Sequence, residues 1–423
     1  MTAAVIGGGL AGLSAGLAGG LPVYEAADRP GGICSTYRKD GFLFEVGGGH
    51  WLWGGTAEVV DVIELLSPLA SYQRRAAVKI GDQLVPFPLQ NHLHHLGQGF
   101  ADRAMADLLP SRRDGDRSTL AGWLRRSFGD TLYETFFGPF HDLYTAGLSH
   151  EIAPVDPSKS PVDLKAVVAG ARGQSLPGGY NQRFWYPMDG FGTVAAALAA
   201  STDLRLGTRA VRLGDGQLTV EGPLGTEELS VDRVVAAVPL DVSVELAGID
   251  VGEPDPYTSV LVVNIGAQAL PSTPAEHWVY VPKSDAGFHR VGFYSNVSPQ
   301  VFLPAGGRDE LVSCYVEFSF RGGEHPTRPE VAELMSRCVQ ELQSWGWIGA
   351  VQVVDPTWVD RAYTWRRPGS TWVADATDAL NEIGVYPAGR YGRWAIDAVG
   401  QSIVGSIRDG SAVGALAAMA SRL

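Results

Sequence analysis

The sequence predicts an α/β protein in which a parallel-sheet, dinucleotide-binding domain is joined to a second domain of mixed antiparallel sheet with a helical cap. Three observations predict it. An apolar strand opens into a glycine-rich turn and helix at the start of the chain. A series of short apolar strands separated by turn residues follows residue 250, and a glycine-bounded strand, turn and helix comes last.

The run Ala3-Ala4-Val5-Ile6 has strand length and leads into Gly7-Gly8-Gly9-Leu10-Ala11-Gly12, so Gly7, Gly9 and Gly12 form G-x-G-x-x-G between a strand and a helix. The first glycine permits a tight turn, the second lets backbone approach a pyrophosphate, and the third lets helix and strand pack closely. Leu10 and Ala11 open the helix, whose free N–H groups face a dianion. A second apolar strand, Leu21 to Tyr24, ends at Glu25, a carboxylate that can accept both hydroxyls of an adenosine ribose and so disfavours NADP. The hexapeptide alone is also compatible with a structural turn, but the strand, Glu25 and the pair Gly31-Gly32 in register make a Rossmann-type nucleotide site. The segment is not expected to be a secretory signal, because it lacks a basic start and is broken by glycines.

The motif continues as Glu25-Ala26-Ala27-Asp28-Arg29-Pro30-Gly31-Gly32 and then Gly41-Phe42-Leu43-Phe44-Glu45-Val46-Gly47-Gly48-Gly49-His50. This resembles the FAD-binding front end of the flavoprotein superfamily that contains amine oxidases, protoporphyrinogen oxidases, phytoene desaturases and UDP-galactopyranose mutases. The resemblance implies FAD as cofactor, contacts at Glu25 and Ala26, close passage of Gly31 and Gly32 past the cofactor, and Gly47, Gly48, Gly49 and His50 near the flavin ring. The helix between Gly12 and Leu21 is shorter than the family's usual one and carries Gly16, Gly19 and Gly20.

A chain of 423 residues is long for one core, so two closely associated domains are expected. The composition is that of a soluble globular protein, and no apolar run reaches membrane-spanning length. A formal charge of −13 argues against nucleic acid, since phosphate binding rests on clustered Lys and Arg. The expected partner is a small-molecule substrate, with no nucleic acid and no membrane. Cys34, Cys314 and Cys338 are odd in number and far apart, which fits a reducing, cytoplasmic setting. Cys34 either neighbours the cofactor or packs as a small buried residue.

Along the rest of the chain, Thr56 and the apolar spacing from Val59 to Leu66 read as a capped helix. Val78 to Pro88 reads as a strand pair about a Gly81-Asp82 turn. The phrase Pro86-Phe87-Pro88-Leu89-Gln90-Asn91 resembles the start of the cap in the mutase-like branch of the superfamily. His92, His94 and His95 lack a matching carboxylate or cysteine spacing, so a helix end is expected there and no metal. Residues 101–148 are expected to be helical, with Thr119 as an N-cap. The aromatic phrase Tyr133 to His141 either forms core or, as its resemblance to the same relatives suggests, marks a turn of the cap. Ala153 to Gly179 is expected to be loop-rich. Tyr186-Pro187-Met188-Asp189-Gly190-Phe191-Gly192-Thr193 resembles the segment with which these flavoenzymes re-enter the FAD domain, with Asp189 replacing a glycine. Short strands follow from Leu204 to Val231, and Asp232 to Pro239 is a buried parallel strand. The resemblance places the backbone of Val211 on the adenine. Ser259–Val263, Trp278–Val281, Arg290–Phe293 and Leu311–Phe318 form an antiparallel series. Arg328 to Trp345 is an amphipathic helix, and Ala350 to Val354 another strand.

Gly384 to Trp394, followed by Gln401-Ser402-Ile403, resembles the last strand, turn and helix of the superfamily. It implies contacts from Gly389, Arg390, Gln401, Ser402 and Ile403, with the helix start favouring an anionic reduced flavin. Arg390 stands where many oxidases have aspartate; it and Arg393 read either as cleft residues or as surface charges. The resulting division is 1–75, 180–250 and 375–423 for the FAD-binding domain, 76–179 for the helical cap, and 251–374 for the substrate-binding sheet. The expected activity is an FAD-dependent oxidoreductase removing hydride from a C–N, C–O or C–C unit of a small polar substrate, such as a sugar or aminosugar in glycan or secondary-metabolite biosynthesis. His50, Tyr363 and Arg390 are the catalytic candidates, with Trp51, Trp365, Arg366 and Trp394 around them. His50 serves either as a general base or as a structural bond to glycine-loop carbonyls. The alternative from another reaction class is a non-redox sugar mutase resembling UDP-galactopyranose mutase, and a third is a flavin-retaining binding protein.

Overall fold

The computed structural model describes residues 2–53, 57–108, 116–154, 163–174, 182–395 and 401–420. A five-stranded parallel sheet runs in the order Leu204–Arg205, Val23–Tyr24, Ala3–Ile6, Arg233–Ala236 and Val385–Pro387. Three distant stretches of chain therefore meet in one sheet, with Ala4 opposite Val234 and Val234 opposite Val385. Its inner strands, Ala3–Ile6 and residues 234–236 of Arg233–Ala236, are apolar because both faces are covered. Ala4, Ile6, Val234 and Ala236 pack towards the helices Leu240–Ala247 and Trp372–Glu382. Val5, Val23 and Val235 pack towards Leu10–Gly19 and Gln401–Ala420.

The brevity and glycine content of the first helix have a packing cause. A Cβ on Gly410 would lie 2.0 Å from the Ala11 carbonyl oxygen, and one on Gly414 would lie 2.2 Å from that of Ala15. A Cβ on Gly16 would meet Val23 at 2.4 Å. The first and last helices thus touch through backbone, which closes the nucleotide-binding end of the molecule.

The second large sheet has seven strands in the order Val351–Thr364, Tyr257–Gln268, Leu311–Arg321, Arg290–Phe293, Trp278–Tyr280, Ala76–Ile80 and Gln83–Pro86. Alternation along its strands separates two faces. Leu261, Val263, Cys314 and Val316 pack under the helix Arg328–Ser344, while Val260, Val262 and Tyr315 belong to the core on the opposite face. Thr327 caps that helix in a capping box with Glu330.

Two sequence expectations are corrected by this sheet. The hairpin of residues 76–86, assigned with the cap, pairs through Ala77 with Val279 and extends the sheet instead. Its inner strand is buried from Ala76 to Val78 and its outer strand begins at the exposed Gln83, which suits a sheet edge that the cap phrase beginning at Pro86 obscured. The expected strand Ala350–Val354 continues to Thr364, because an edge strand tolerates Asp355-Pro356 where a central strand would not.

The cap is helical: Gln98–Asp107, Leu120–Leu132, a π-helical turn Tyr133–Phe137, Gly138–Tyr144 and Leu164–Ala171. Thr119 caps its helix by accepting from Gly122 N at 3.2 Å. The stretch expected to be loop-rich holds a helix capped by Asp163, which accepts from Lys165 N at 2.9 Å. The remainder of that stretch, 155–162 and 175–179, lies outside the described residues, as does the expected cap Thr56. His92, His94 and His95 sit on or beside short 3-10 turns, and His94 bonds the Gly170 carbonyl through Nδ1 at 2.9 Å. Among the described residues no helix is long and apolar enough to cross a membrane, and no cluster of His, Cys, Asp and Glu could hold a metal.

Candidate active site

One continuous cavity of about 1150 Å³ runs from Gly7 and Glu25, past the glycine-rich segment ending at His50, to the face of the seven-stranded sheet and the cap. At the nucleotide end Gly7 has φ of +94°, and a Cβ on Gly12 would sit 1.8 Å from the Gly7 carbonyl oxygen. A Cβ on Gly9 would meet no protein atom within 4 Å, so the middle glycine faces open cleft. Gly31 N donates to Gly8 O at 2.8 Å and holds the glycine pair against this turn. The Glu25 carboxylate accepts from Gly8 N at 2.5 Å and Ala27 N at 2.7 Å, which leaves lone pairs for a ribose.

Most of the sequence-derived cofactor residues line this end: Gly7, Gly9, Leu10, Ala11, Glu25, Gly31, Gly32, Gly47, Gly49, His50, Gly389, Arg390 and Ile403. Ala26 is exposed and its neighbour Ala27 lines the cavity instead. Val211 is passed over by the ladder between Ala210 and Arg212, a bulge in the hairpin beside the cleft, where Arg209 contributes to the lining. Gly12 and Gly48 shape the walls from behind. The helix opened by Gln401 and Ser402 brings Ile403 and Ser406 to the cavity.

His50 lies where the cavity turns towards the cap. Its Nδ1 is 2.8 Å from Gly48 O and donates to that carbonyl. Its backbone N–H donates to Glu45 at 2.9 Å. Glu45 is fully buried and also accepts from the Tyr186 hydroxyl, so it pins the glycine-rich segment to the strand Arg183–Pro187. His50 therefore fixes the glycine-rich loop through its backbone and its ring.

Arg390 and Arg393 part company. Arg390 lines the cavity, donates to Ala362 O at 2.9 Å and stacks over Tyr363 and Tyr391. Arg393 pairs with Asp409, which also accepts from Gly389 N at 2.7 Å. Tyr363 stands at the end of its long strand with Tyr144 of the cap 4.6 Å away, ring to ring. Trp51 and Trp365 line the cavity, but Trp394 is buried in the nucleotide-domain core with Nε1 bonded to Trp365 O.

The substrate end contains a buried ion cluster that sequence reasoning missed. Arg290 and Glu317 are cross-strand partners, and their side chains pair directly. His289 Nε2 lies 3.2 Å from the other Glu317 oxygen. Burial alone would raise the Glu317 carboxyl, but the Arg290 charge and the His289 contact outweigh it and hold it at about 2. Burial pushes His289 down although Glu317 opposes it. A Cβ on Gly48 would lie 3.0 Å from Glu317 Oε1, so this pair sits directly behind the glycine-rich segment. His141 bonds Phe137 O through Nδ1 at 2.7 Å, and burial pushes it down to about 4, which leaves it neutral with Nε2 as acceptor. The available signal was the charge Glu317 within the apolar run Val312–Phe318, a rare event unless the charge is paired.

These residues fit FAD: a cleft in front of Gly9 for a pyrophosphate, Glu25 for a ribose, and the Gly47–His50 segment with Arg390 and Ile403 for a ring system. Comparisons with known proteins agree. No curated protein matches the sequence. In structure the chain is similar to reduced UDP-galactopyranose mutase, at 21% identity and a TM-score of 0.85 over 98% of this chain and 93% of that one. It is also similar to a candidate protoporphyrinogen oxidase from Exiguobacterium, at 19% identity and a TM-score of 0.72 over 99% of both chains. A putrescine oxidase variant aligns at 17% identity and a TM-score of 0.62 over 100% of this chain and 99% of that one. Residues 13–247 match the family described as flavin containing amine oxidoreductase. That match spans more than half of the protein, so the chain belongs to the flavin-containing amine oxidoreductase family and its cofactor is FAD.

Proposed function

We propose that the protein is an FAD-dependent oxidoreductase that takes hydride from a neutral or anionic polar substrate, with the C–O unit of a sugar, or of an aminosugar whose nitrogen is acylated, as the bond oxidised. The observation that carries this reading is the charge inventory of the cavity beyond His50. Arg74, Arg290 and Arg390 line it, with Arg290 offset by Glu317; Glu45 is buried and bonded, and the lining carboxylates Asp355 and Asp360 are engaged by Tyr37 and Arg361. A protonated amine entering there meets carboxylates that are already bonded, which disfavours it. Hydroxyls meet neutral partners in Tyr144, His141 and Tyr363.

FAD, when bound, supplies the hydride acceptor. The chain's residues bind and orient: Glu25 the ribose, Gly9 and Gly31 the pyrophosphate, Arg390 and Tyr363 the substrate beside the ring. The second ring nitrogen of His50 can hold a substrate hydroxyl proton. Anaerobic absorbance titration with sugars, N-acetylated aminosugars and amines tests this. Bleaching by a sugar and recolouring in air support it, whereas bleaching by amines alone overturns it.

A second reading, a non-redox sugar mutase, is favoured by the lining guanidiniums of Arg74 and Arg390, since guanidinium forks suit the phosphates of a nucleotide sugar. It requires that dithionite-reduced protein isomerise a nucleotide sugar without net electron transfer.

A further inference from the structure

The cavity does not end at the polar cluster. Beyond Tyr144 and His141 it continues into the cap, where Leu120, Trp123, Leu124, Phe136, Phe137 and Phe140 line it. All but Trp123 are buried and belong to the packed core of the cap, so the lobe they bound is a narrow apolar crevice opening off the cavity. The local backbone is built for that arrangement. Gly129, at φ of +77°, breaks the helix that carries Leu120 and Leu124, and the π-helical turn Tyr133–Phe137 follows. The turn sets Phe136 and Phe137 side by side on the cavity wall, with ring centroids 5.0 Å apart, and Phe140 stacks on Phe136 at 5.4 Å. π-Helical turns are rare and are retained mostly where a site needs the altered side-chain direction. Phe140 also touches the rings of Tyr144 and His289, so the apolar lobe adjoins the polar cluster without a wall between them.

We propose that the substrate is amphipathic, with its reacting polar part at Tyr363 and Arg390 and an apolar substituent, aryl or alkyl, seated in the cap lobe. This rests on the reading that FAD fills the nucleotide end and that a polar group is oxidised beside it. A sugar alone would leave the crevice without a partner, and an apolar extension of a ligand cavity suits the apolar part of a ligand. The sequence-based expectation of a small polar substrate thus becomes one of a polar group carrying an apolar aglycone.

The test uses FAD-loaded protein in its oxidised state and reads binding as perturbation of the flavin absorbance. The probes are glucose, galactose and their N-acetylated 2-amino forms, the phenyl and octyl β-glycosides of each, and 4-phenylbutanol as a sugar-free apolar probe. A phenyl or octyl glycoside should bind at least tenfold more tightly than its parent sugar, and the stronger of the two identifies the substituent. In Leu124→Trp, which fills the lobe, the ratio of glycoside to parent affinity should fall towards one; Leu120→Phe is the smaller intrusion if the first variant does not hold FAD. Equal affinity of glycosides and parents overturns the proposal while leaving the sugar reading intact. Binding of 4-phenylbutanol that Leu124→Trp weakens, with no response to any sugar or glycoside, supports the lobe and overturns the sugar reading. A flavin spectrum that no probe perturbs overturns both.

Discussion

Replacing Glu317 by Gln keeps the side chain's shape and removes its charge, which isolates what the buried ion cluster contributes. Glu317 and Arg290 are paired in the interior, with the Glu317 side chain 2% exposed. The folded protein holds this carboxyl at about 2 against an ordinary 4.5, because the Arg290 charge and the His289 contact outweigh burial. At neutral pH that drop corresponds to about 3 kcal/mol of stability. Breaking a buried pair by removing one partner costs about 3–5 kcal/mol, so the two routes to the magnitude agree. The sign is that of a depressed carboxyl: the contribution is fully present above pH 4.5 and is lost as pH falls from there through about 2. Urea unfolding followed by tryptophan fluorescence at pH 7 should therefore show Glu317→Gln less stable by about 3 kcal/mol, with the difference from wild type shrinking below pH 4.5. The double variant Arg290→Leu, Glu317→Leu should recover much of the loss, because no uncompensated charge is left behind. Wild-type stability in Glu317→Gln at pH 7, or a deficit that does not change down to pH 3, would refute the reasoning.

Three further outcomes follow from the cofactor end and from a control outside it. Gly9→Ala should fold normally and bind FAD much more weakly, since its Cβ meets only open cleft; Gly12→Ala should lose both stability and FAD, since its Cβ would overlap the Gly7 carbonyl. Flavin retained on gel filtration, read beside urea unfolding, separates the two. Glu25→Gln should weaken FAD binding by about 1.5–3 kcal/mol, the worth of hydrogen bonds to a charged group, measured by fluorescence quenching of added FAD. Thr327→Ala removes the capping-box acceptor at the head of Arg328–Ser344 and should cost about 1 kcal/mol in urea unfolding with no change in FAD affinity.

The sequence by itself determined the nucleotide end of this protein. Gly7, Gly9, Gly12, Glu25 and Gly31-Gly32 lie within one short stretch; Gly7, Gly12, Gly31 and Gly32 are required by their own backbone conformation or by a neighbour close in the chain, while Gly9 keeps the cleft open. Motifs of that kind are legible because local geometry dictates the residue. The strands at Arg290 and Leu311 were equally readable from their apolar runs. Tertiary structure alone decided the substrate end. Glu317 reaches the cavity wall by standing opposite Arg290 across a ladder, close behind Gly48, from a strand more than 260 residues away. Tyr363 meets Tyr144 only because an edge strand runs on through Asp355-Pro356 to the cap. Arg390 and Arg393, three residues apart in the same glycine-rich phrase, separate into a cavity wall and an ion pair with Asp409 according to which side of a short helical turn each occupies. Residues that act through partners distant in sequence leave no period or spacing to read, and their roles appear only when the sheet and cap close over the cofactor cleft.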